Sequence, residues 1–296
     1  MSKSLSAILV PYLFAVSLSF GQTISPAGGS STGQSKDVPT QSPAAKLAES
    51  AHAYAQESFV VEQMHTYYRF ESDGTGRRET IARVRVQSEA GVQQWGQLLE
   101  GYNSANERLE IPYVRVLKQD GSVVKASADD VQDLSAPIER EAPVYTDYRQ
   151  KHVTVPGLRP GEVLEYEMVT TIHTPLAAGQ FWTDYEFDKS NISLDETLDV
   201  DVPADRSVKL KTKPGRDPKI TEENGRRIYR WTSSHLARDD DKDKEAKKKR
   251  RPDDERPDVQ LTTFETWEQI GRWYASLERD RRAPSPEVRA KAKRPS

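Results

Sequence analysis

Residues 162–173 read EVLEYEMVTTIH, and this stretch decides the fold class. Its apolar and acidic side chains take opposite parities, Leu164, Tyr166, Met168 and Ile172 against Glu165 and Glu167. Successive side chains of a β-strand point to opposite faces of the sheet. The stretch therefore predicts a strand with one buried face and one face in water.

Similar stretches recur on both sides of this strand. Residues 59–70, FVVEQMHTYYRF, are followed by Asp73-Gly74 and by alternation over 79–87. Further strand patterns lie at 109–127, with Asp120-Gly121 as a turn, and at 179–188 and 192–202. Two more, at 208–213 and 226–233, flank the turn dipeptide Asn224-Gly225. Many short strands with few helices predict a mainly β fold, an antiparallel β-sandwich or an open barrel. We expect a short helix before it, over 44–56, and an amphipathic helix after it.

Composition divides the chain of 296 residues into segments. Residues 22–45 and 238–257 contain almost no large apolar side chains, so they cannot bury enough surface to offset their ordering entropy. We assign 22–45 to a flexible linker, 46–237 to the β-sandwich and 238–257 to a charged linker. The net charge of −3 argues against a nucleic-acid-binding protein, which needs a basic excess.

The first 21 residues have the layout of a secretory signal peptide. Lys3 precedes an apolar run from 8 to 20, and Ser19-Phe20-Gly21 offers a cleavage site after Gly21. The run is short for a membrane span. We therefore expect a periplasmic or secreted protein with no membrane span after signal cleavage.

Residues 258–296 predict a helix with an apolar stripe. At helical spacing the stripe comprises Phe264, Trp267, Ile270, Tyr274 and Leu277, and Trp273 lies beside it. Thr262 with Glu265, or Thr266 with Gln269, offers a capping box. Such a stripe must dock onto the sandwich or onto another domain. Because the charged linker separates it from the sandwich, we expect a deletion of 258–296 to leave the sandwich folded.

The sequence predicts no catalytic, cofactor-binding or metal-binding residue. The chain has no cysteine, which excludes thiolate nucleophiles, and its histidines have no companion motif: His52, His65, His152, His173 and His235. Two carboxylate pairs, Glu165 with Glu167 and Asp184 with Glu186, could hydrolyse a glycoside, although a solvated strand face shows the same pattern.

Two further candidate sites are weak. Asp239, Asp241 and Asp243 suggest a calcium loop, but Lys244 and Arg250 occupy the positions of its glycine and its bidentate glutamate. The five tryptophans could stack on sugars, yet core packing or packing at a domain junction is the usual role of this side chain. They stand at Trp95, Trp182, Trp231, Trp267 and Trp273.

Several segments, in order, carry a resemblance to a known family. They are YNSANERLEIPYVRVLKQDGSVVKAS (102–127), VYTDYRQKHVTVPGLRPGEVLEYEMV (144–169) and TFETWEQIGRWYASL (263–277). Over about 55–280 the chain resembles the bacterial domain of unknown function 3857, the module that usually precedes a transglutaminase-like domain in exported proteins.

The resemblance implies a non-catalytic accessory module that positions or shields a transglutaminase-like domain of the cysteine protease or acyltransferase type. That domain would be the partner, in cis or in trans, of the stripe of the last helix. Its catalytic cysteine, histidine and aspartate lie further downstream in the family, so we expect 258–296 to be the helical start of a domain that is truncated here.

Two alternatives remain open at this point. One is a standalone envelope sandwich that binds carbohydrate or protein through aromatic and acidic strand faces. The other is a β-sandwich hydrolase that uses the paired carboxylates.

Overall fold

The computed structural model describes residues 54–135, 147–237 and 256–282, with side chains up to Leu277 in the last range. These residues form fourteen strands, in chain order β1 (Phe59–Phe70), β2 (Gly76–Val86), β3 (Gln97–Asn103), β4 (Glu107–Leu117), β5 (Val123–Lys125), β6 (Val131–Ser135), β7 (Tyr148–Thr154), β8 (Val163–Ile172), β9 (Trp182–Tyr185), β10 (Ser193–Pro203), β11 (Lys209–Thr212), β12 (Lys219–Glu223), β13 (Arg226–His235) and β14 (Val259–Thr262). The same residues form helix α1 (Glu89–Trp95), helix α2 (Trp267–Arg282) and a 3-10 turn (Ala128–Asp130).

Eight strands form one large sheet in the order β12-β13-β10-β1-β2-β8-β4-β5. Its neighbours pair antiparallel, apart from β1 and β10, which pair parallel with Tyr68 opposite Val200. A parallel pair requires a crossover connection, and here all of the chain between Phe70 and Ser193 provides it. The fold is mainly β and sandwich-like, as the sequence predicts, with one parallel pair that strand patterns alone do not reveal.

Two three-stranded sheets cover the inner face of the large sheet. Sheet β3-β7-β6 covers one end, and sheet β11-β14-β9 covers the other. The first core lies under β3-β7-β6 and includes Phe59, Val61, Val84, Leu98, Tyr102, Val116, Val153, Leu164 and Tyr166. The second core lies under β11-β14-β9 and includes Phe70, Phe181, Phe187, Leu198, Val200, Val202, Tyr229, Trp231, Val259 and Leu261.

Strand β1 contributes to both cores because it contains a register shift. The shift lies between Val61 and Gln63 in the pairing with β2. An extra residue at a β-bulge changes which side chains face inward. Phe59 and Val61 before the shift, and Tyr68 and Phe70 after it, therefore all point to the inner face, although their spacing is not one unbroken alternation.

The outer face of the large sheet is less exposed to solvent than the sequence predicts. In β10, Leu198, Val200 and Val202 face inward as predicted, but Asp199 and Asp201 on the other parity are also only 2% and 3% exposed. The Arg230 guanidinium donates two hydrogen bonds, of 2.7 and 2.6 Å, to Asp199. These aspartates are buried because long side chains from neighbouring strands lie over them.

Two local predictions differ from the structure. Asn224-Gly225 joins β12 to β13 and not β11 to β13, with positive φ angles of 52° and 73° that a type I′ turn requires. Strand β12 escapes sequence detection because all five of its residues are exposed and no apolar alternation marks it.

Several predicted segments lie outside the described residues. These are the signal peptide at 1–21, the linker at 22–45 and nearly all of the charged linker at 238–257. Of the helix predicted over 44–56, only 54–56 are described, and they form a turn. Among the described helices, none has both the length and the apolar character needed to cross a bilayer.

Candidate interaction surface

The segment that follows the charged linker enters the sandwich as a strand. Strand β14 lies between β9 and β11 and pairs antiparallel with both. Val259 and Leu261 point into the second core and are 0% and 1% exposed. This differs from the prediction that the chain from 258 onward is helical and separable from the sandwich.

Asp258 fixes the start of β14. One carboxylate oxygen accepts the backbone N–H of Phe187 at 3.0 Å, the other accepts Lys189 Nζ at 2.9 Å, and Lys213 Nζ lies 3.4 Å away. Burial alone would raise the pKa of Asp258, but the Lys189 ammonium and the Phe187 N–H outweigh it and hold the pKa below its usual range. A buried, charged carboxylate thus joins three separate stretches of chain.

Thr263 fixes the other end of β14. Its hydroxyl accepts the backbone N–H of Phe181 at 3.0 Å and contacts Gln180 Oε1 at 2.8 Å, and its own N–H donates to the carbonyl of Phe181. Phe264 follows and is also buried. The strand is therefore fixed by polar contacts at both ends and by apolar contacts between them.

Helix α2 begins directly after this strand. Thr266 caps it, with its hydroxyl accepting the N–H of Gln269 at 3.3 Å, and the Gln269 side chain accepts the N–H of Glu265 at 2.7 Å. This arrangement is close to the predicted box of Thr266 with Gln269. Lys209 Nζ donates to the carbonyl of Glu265, which ties the helix start to β11.

Trp273 attaches α2 to the sandwich. Its ring lies 5.6 Å from that of Trp182 and 5.8 Å from that of Phe264, and its indole N–H donates to the carbonyl of Leu176 at 2.9 Å. The sequence predicts Trp273 beside the stripe and not at the contact. The helix contacts the sandwich through this neighbouring residue because Phe264 lies before the first turn of α2.

The predicted stripe is consequently divided between two environments. Phe264 is buried and Ile270 is half-buried, whereas Trp267, Tyr274 and Leu277 are 38%, 54% and 48% exposed. We call Trp267, Tyr274 and Leu277 the apolar face of α2. A cluster of large exposed apolar side chains on one helix is typical of an interaction site.

Two of the candidate hydrolytic carboxylates, Glu165 and Asp184, lie in different environments. Glu165 pairs with Arg83 and with Arg115, the latter at 2.7 Å, on the outer face of the large sheet. Asp184 lies on β9, where partial burial and the neighbouring charge of Glu186 raise its pKa. The sequence gives no sign of either environment, since the arginines come from other strands.

The histidines take structural positions where the structure describes their contacts. His65 Nε2 lies 3.0 Å from Asp199, a carboxylate that Arg230 also binds. Burial acts to raise the pKa of Asp199, but its bonds to Arg230 and His65 lower it overall. His173 Nδ1 contacts the hydroxyl of Thr174, and His52 lies outside the described residues.

Four of the five tryptophans pack in the cores or at the junction with α2, whereas Trp267 is exposed. Trp231 is 3% exposed in the second core, and Trp95 packs against Phe59 and Tyr166. This confirms the packing role predicted for these two side chains. In the described part of the chain no group of three or more histidine, aspartate or glutamate side chains could hold a metal ion, and the calcium candidates at 239–243 fall outside it.

Comparison with solved structures shows the fold. A candidate protease from Parabacteroides distasonis is similar with a TM-score of 0.60 at 15% identity, over 70% of this chain and 41% of that one. This chain thus spans about two fifths of that protein's length. Two further structures are more distant. A candidate nutrient-binding protein from Legionella pneumophila has a TM-score of 0.37 at 12% identity, over 79% of this chain and 78% of that one. An M1 zinc metallopeptidase from Deinococcus radiodurans has a TM-score of 0.33 at 15% identity, over 60% of this chain and 39% of that one.

Comparison with sequences identifies the family. A search of curated proteins gave no match. Residues 72–239 match the model of a domain of unknown function for which a structure has been solved, DUF3857. The match runs from the β1–β2 turn to the end of β13 and covers more than half of the chain. The chain therefore belongs to the DUF3857 family.

Proposed function

We propose that this protein is a non-catalytic, exported accessory module that positions or shields a transglutaminase-like catalytic domain. The partner domain would dock on the apolar face of α2, either in the same polypeptide or as a separate chain. After removal of residues 1–21 the module would act in the periplasm or outside the cell.

One observation carries the proposal, namely the contrast between Trp273 and the apolar face of α2. Trp273 holds the helix to the sandwich, while Trp267, Tyr274 and Leu277 are 38%, 54% and 48% exposed. Burying a large apolar side chain is worth about 1.5–3 kcal/mol, so exposing three of them on one helix is costly. A helix that is fixed in place and apolar on its free side is suited to docking.

The charges of the sandwich support a non-catalytic role. Glu165 is neutralised by two arginines, and Asp199 is shared between His65 and Arg230. Burial acts to raise the pKa of Asp199, but its bonds to Arg230 and His65 lower it overall, so this carboxylate is a poor proton donor. A solved candidate protease that contains this fold over 41% of its length is in keeping with an accessory role beside a catalytic part.

Binding of a separately produced partner domain tests the proposal. The partner is a transglutaminase-like domain taken from a protein in which it follows a DUF3857 domain, and calorimetric titration measures the affinity. Because Tyr274 is exposed, Tyr274→Asp should leave the module folded and weaken binding by about tenfold or more.

Ser276→Asp provides the matched control. Ser276 is exposed on the opposite side of α2, so the same charge on the same helix should change the affinity less than about twofold. Absence of binding by the unaltered module, or equal affinities for it and Tyr274→Asp, would refute docking on this face.

A further inference from the structure

We propose that the groove between β9 and β11 is a binding site for an extended peptide, and that the segment Asp258–Phe264 binds there even when it is carried on a separate polypeptide. In the structure the chain's own segment fills the site. The groove and the apolar face of α2 are distinct surfaces, so strand binding does not depend on the proposed docking of a catalytic domain.

The groove offers hydrogen bonds on both of its sides. Along β9, Val259 to Thr262 pair with Tyr185 to Trp182, and along β11 they pair with Thr212 to Lys209. Addition of a strand to an open sheet edge is a general mode of peptide recognition. Here the peptide lies between two edges, so both rows of its backbone groups are used.

The side chains of the groove specify the peptide. Its floor is the second core, which buries Val259 and Leu261 completely. At one end Lys189 and the Phe187 N–H donate hydrogen bonds, and Lys213 adds positive charge, so an acidic side chain is favoured at the position of Asp258. At the other end Phe181 and Gln180 bind the hydroxyl of Thr263. The preferred ligand is an aspartate followed by apolar residues at alternate positions and then by threonine and an aromatic residue.

The groups that bind the strand belong to remote elements of the described part of the chain. The hydrogen bonds and ion pairs that bind Asp258, β14 and Thr263 come from residues 180–189 and 209–213, far from them in sequence. Residues 238–257, which join β13 to β14, are nearly free of large apolar side chains. A covalent link raises the effective concentration of the strand at its site.

Cleavage of the full chain tests the proposal. A recognition sequence for a site-specific protease is inserted after Ala246, the intact protein is purified, and it is then cleaved under native conditions. We expect the two pieces to elute together in size-exclusion chromatography and to separate in denaturant. A fluorescent peptide of residues 256–282 should exchange slowly into the cleaved complex.

Variants show whether the groove supplies the affinity. Asp258→Asn removes a charge-assisted contact at one end and should weaken the cleaved complex by about tenfold. Leu261→Ala should weaken it by about a hundredfold, and Gln260→Ala, whose side chain points away from the core, by less than about twofold. Asp258→Asn remains informative if Leu261→Ala does not fold.

Two outcomes would overturn the proposal. One is separation of the pieces in native buffer although the uncut protein melts cooperatively. The other is an affinity that is the same for Asp258→Asn and the unaltered strand. Tyr274→Asp should leave strand binding unchanged, so a failure of docking at α2 and a failure of the strand site give different results.

Discussion

The two ends of the sandwich are closed in different ways. Over the first core, the covering strands β3, β6 and β7 all come from residues 97–154. Over the second core, β9, β11 and β14 come from three stretches spread between 182 and 262. The strands over the first core thus come from one part of the chain, interrupted by β4 and β5, whereas the cover of the second core is completed only by a strand that follows a long charged segment.

This difference bears on the stability of each end, because the strands that cover the two cores are separated by different lengths of chain. Contacts between remote segments require the closure of long loops, which slows folding and adds an entropic cost that grows with loop length. The second core should therefore be the less stable end and should open before the first. The second core is also the end that carries α2, so its opening would change the position of the apolar face of α2.

Deletion of residues 258–296 should have the largest effect on the difference in stability between the two ends. It removes β14 and with it three buried apolar side chains, Val259, Leu261 and Phe264, each worth about 1.5–3 kcal/mol. Since domains are stable by only about 5–15 kcal/mol, we expect loss of the ordered second core. This reverses the expectation from sequence that the deletion is harmless.

Circular dichroism melts and amide hydrogen exchange measure the effect of the deletion. A chain shortened to residue 277 keeps β14 and Trp273 and should melt like the full chain. If the version lacking 258–296 kept native protection in β10 and β13, then β14 would not be needed to close the second core.

A matched pair of leucine substitutions tests whether the two cores open separately. Leu261→Ala in the second core and Leu98→Ala in the first each remove a buried side chain and should lower the free energy of unfolding by about 2–5 kcal/mol. Amide exchange should distinguish them, because local opening occurs in cooperative units. We expect faster exchange in β9 and β11 for Leu261→Ala and in β7 for Leu98→Ala. Uniform acceleration throughout both proteins would mean that the two ends open as one unit.

Asp258→Asn should have the smallest effect on stability, and the effect should depend on pH. At neutral pH we expect a loss of about 1–2 kcal/mol, because Lys189 and Lys213 remain partly in water. The pKa of Asp258 in the folded protein is lowered from an unfolded value of about 3.9. Its contribution is therefore complete above that value and is lost as the pH falls through the folded pKa.

Urea denaturation from about pH 7 down to about pH 3 tests this, and the difference between wild type and Asp258→Asn should shrink at the acid end. Glu196, whose pKa burial raises, contributes with the opposite sign but equally in both proteins. A difference that stays constant across this range would show that Asp258 does not act through its charge.

The sequence predicts the central strands of the large sheet well because they are long and alternate in hydrophobicity, whereas the edge strand β12 lacks such alternation. Leu164 in β8 and Leu198, Val200 and Val202 in β10 are all fully buried, as their parity indicates. The same rule fails for Asp199 and Asp201. Parity shows which face a residue occupies, but not that an arginine on a neighbouring strand covers it.

The candidate site could be predicted only in part. The existence of α2 and its Thr266 cap follow from residue spacing, but the role of Trp273 depends on Trp182 and on the carbonyl of Leu176. Strand β14 was missed because four residues with two apolar positions give too weak an alternation beside a strong helical stripe. Its anchor, Asp258, ends a run of charges and has no local mark of burial.

The parallel pairing of β1 with β10 has a consequence for biosynthesis. When the β1–β2 hairpin emerges from the ribosome, the strand that will cover its other side has yet to be translated. During that interval Phe59–Phe70 presents unpaired backbone groups, and such an edge invites pairing with other chains. This edge is closed only after Ser193–Pro203 has been synthesised and pairs with β1.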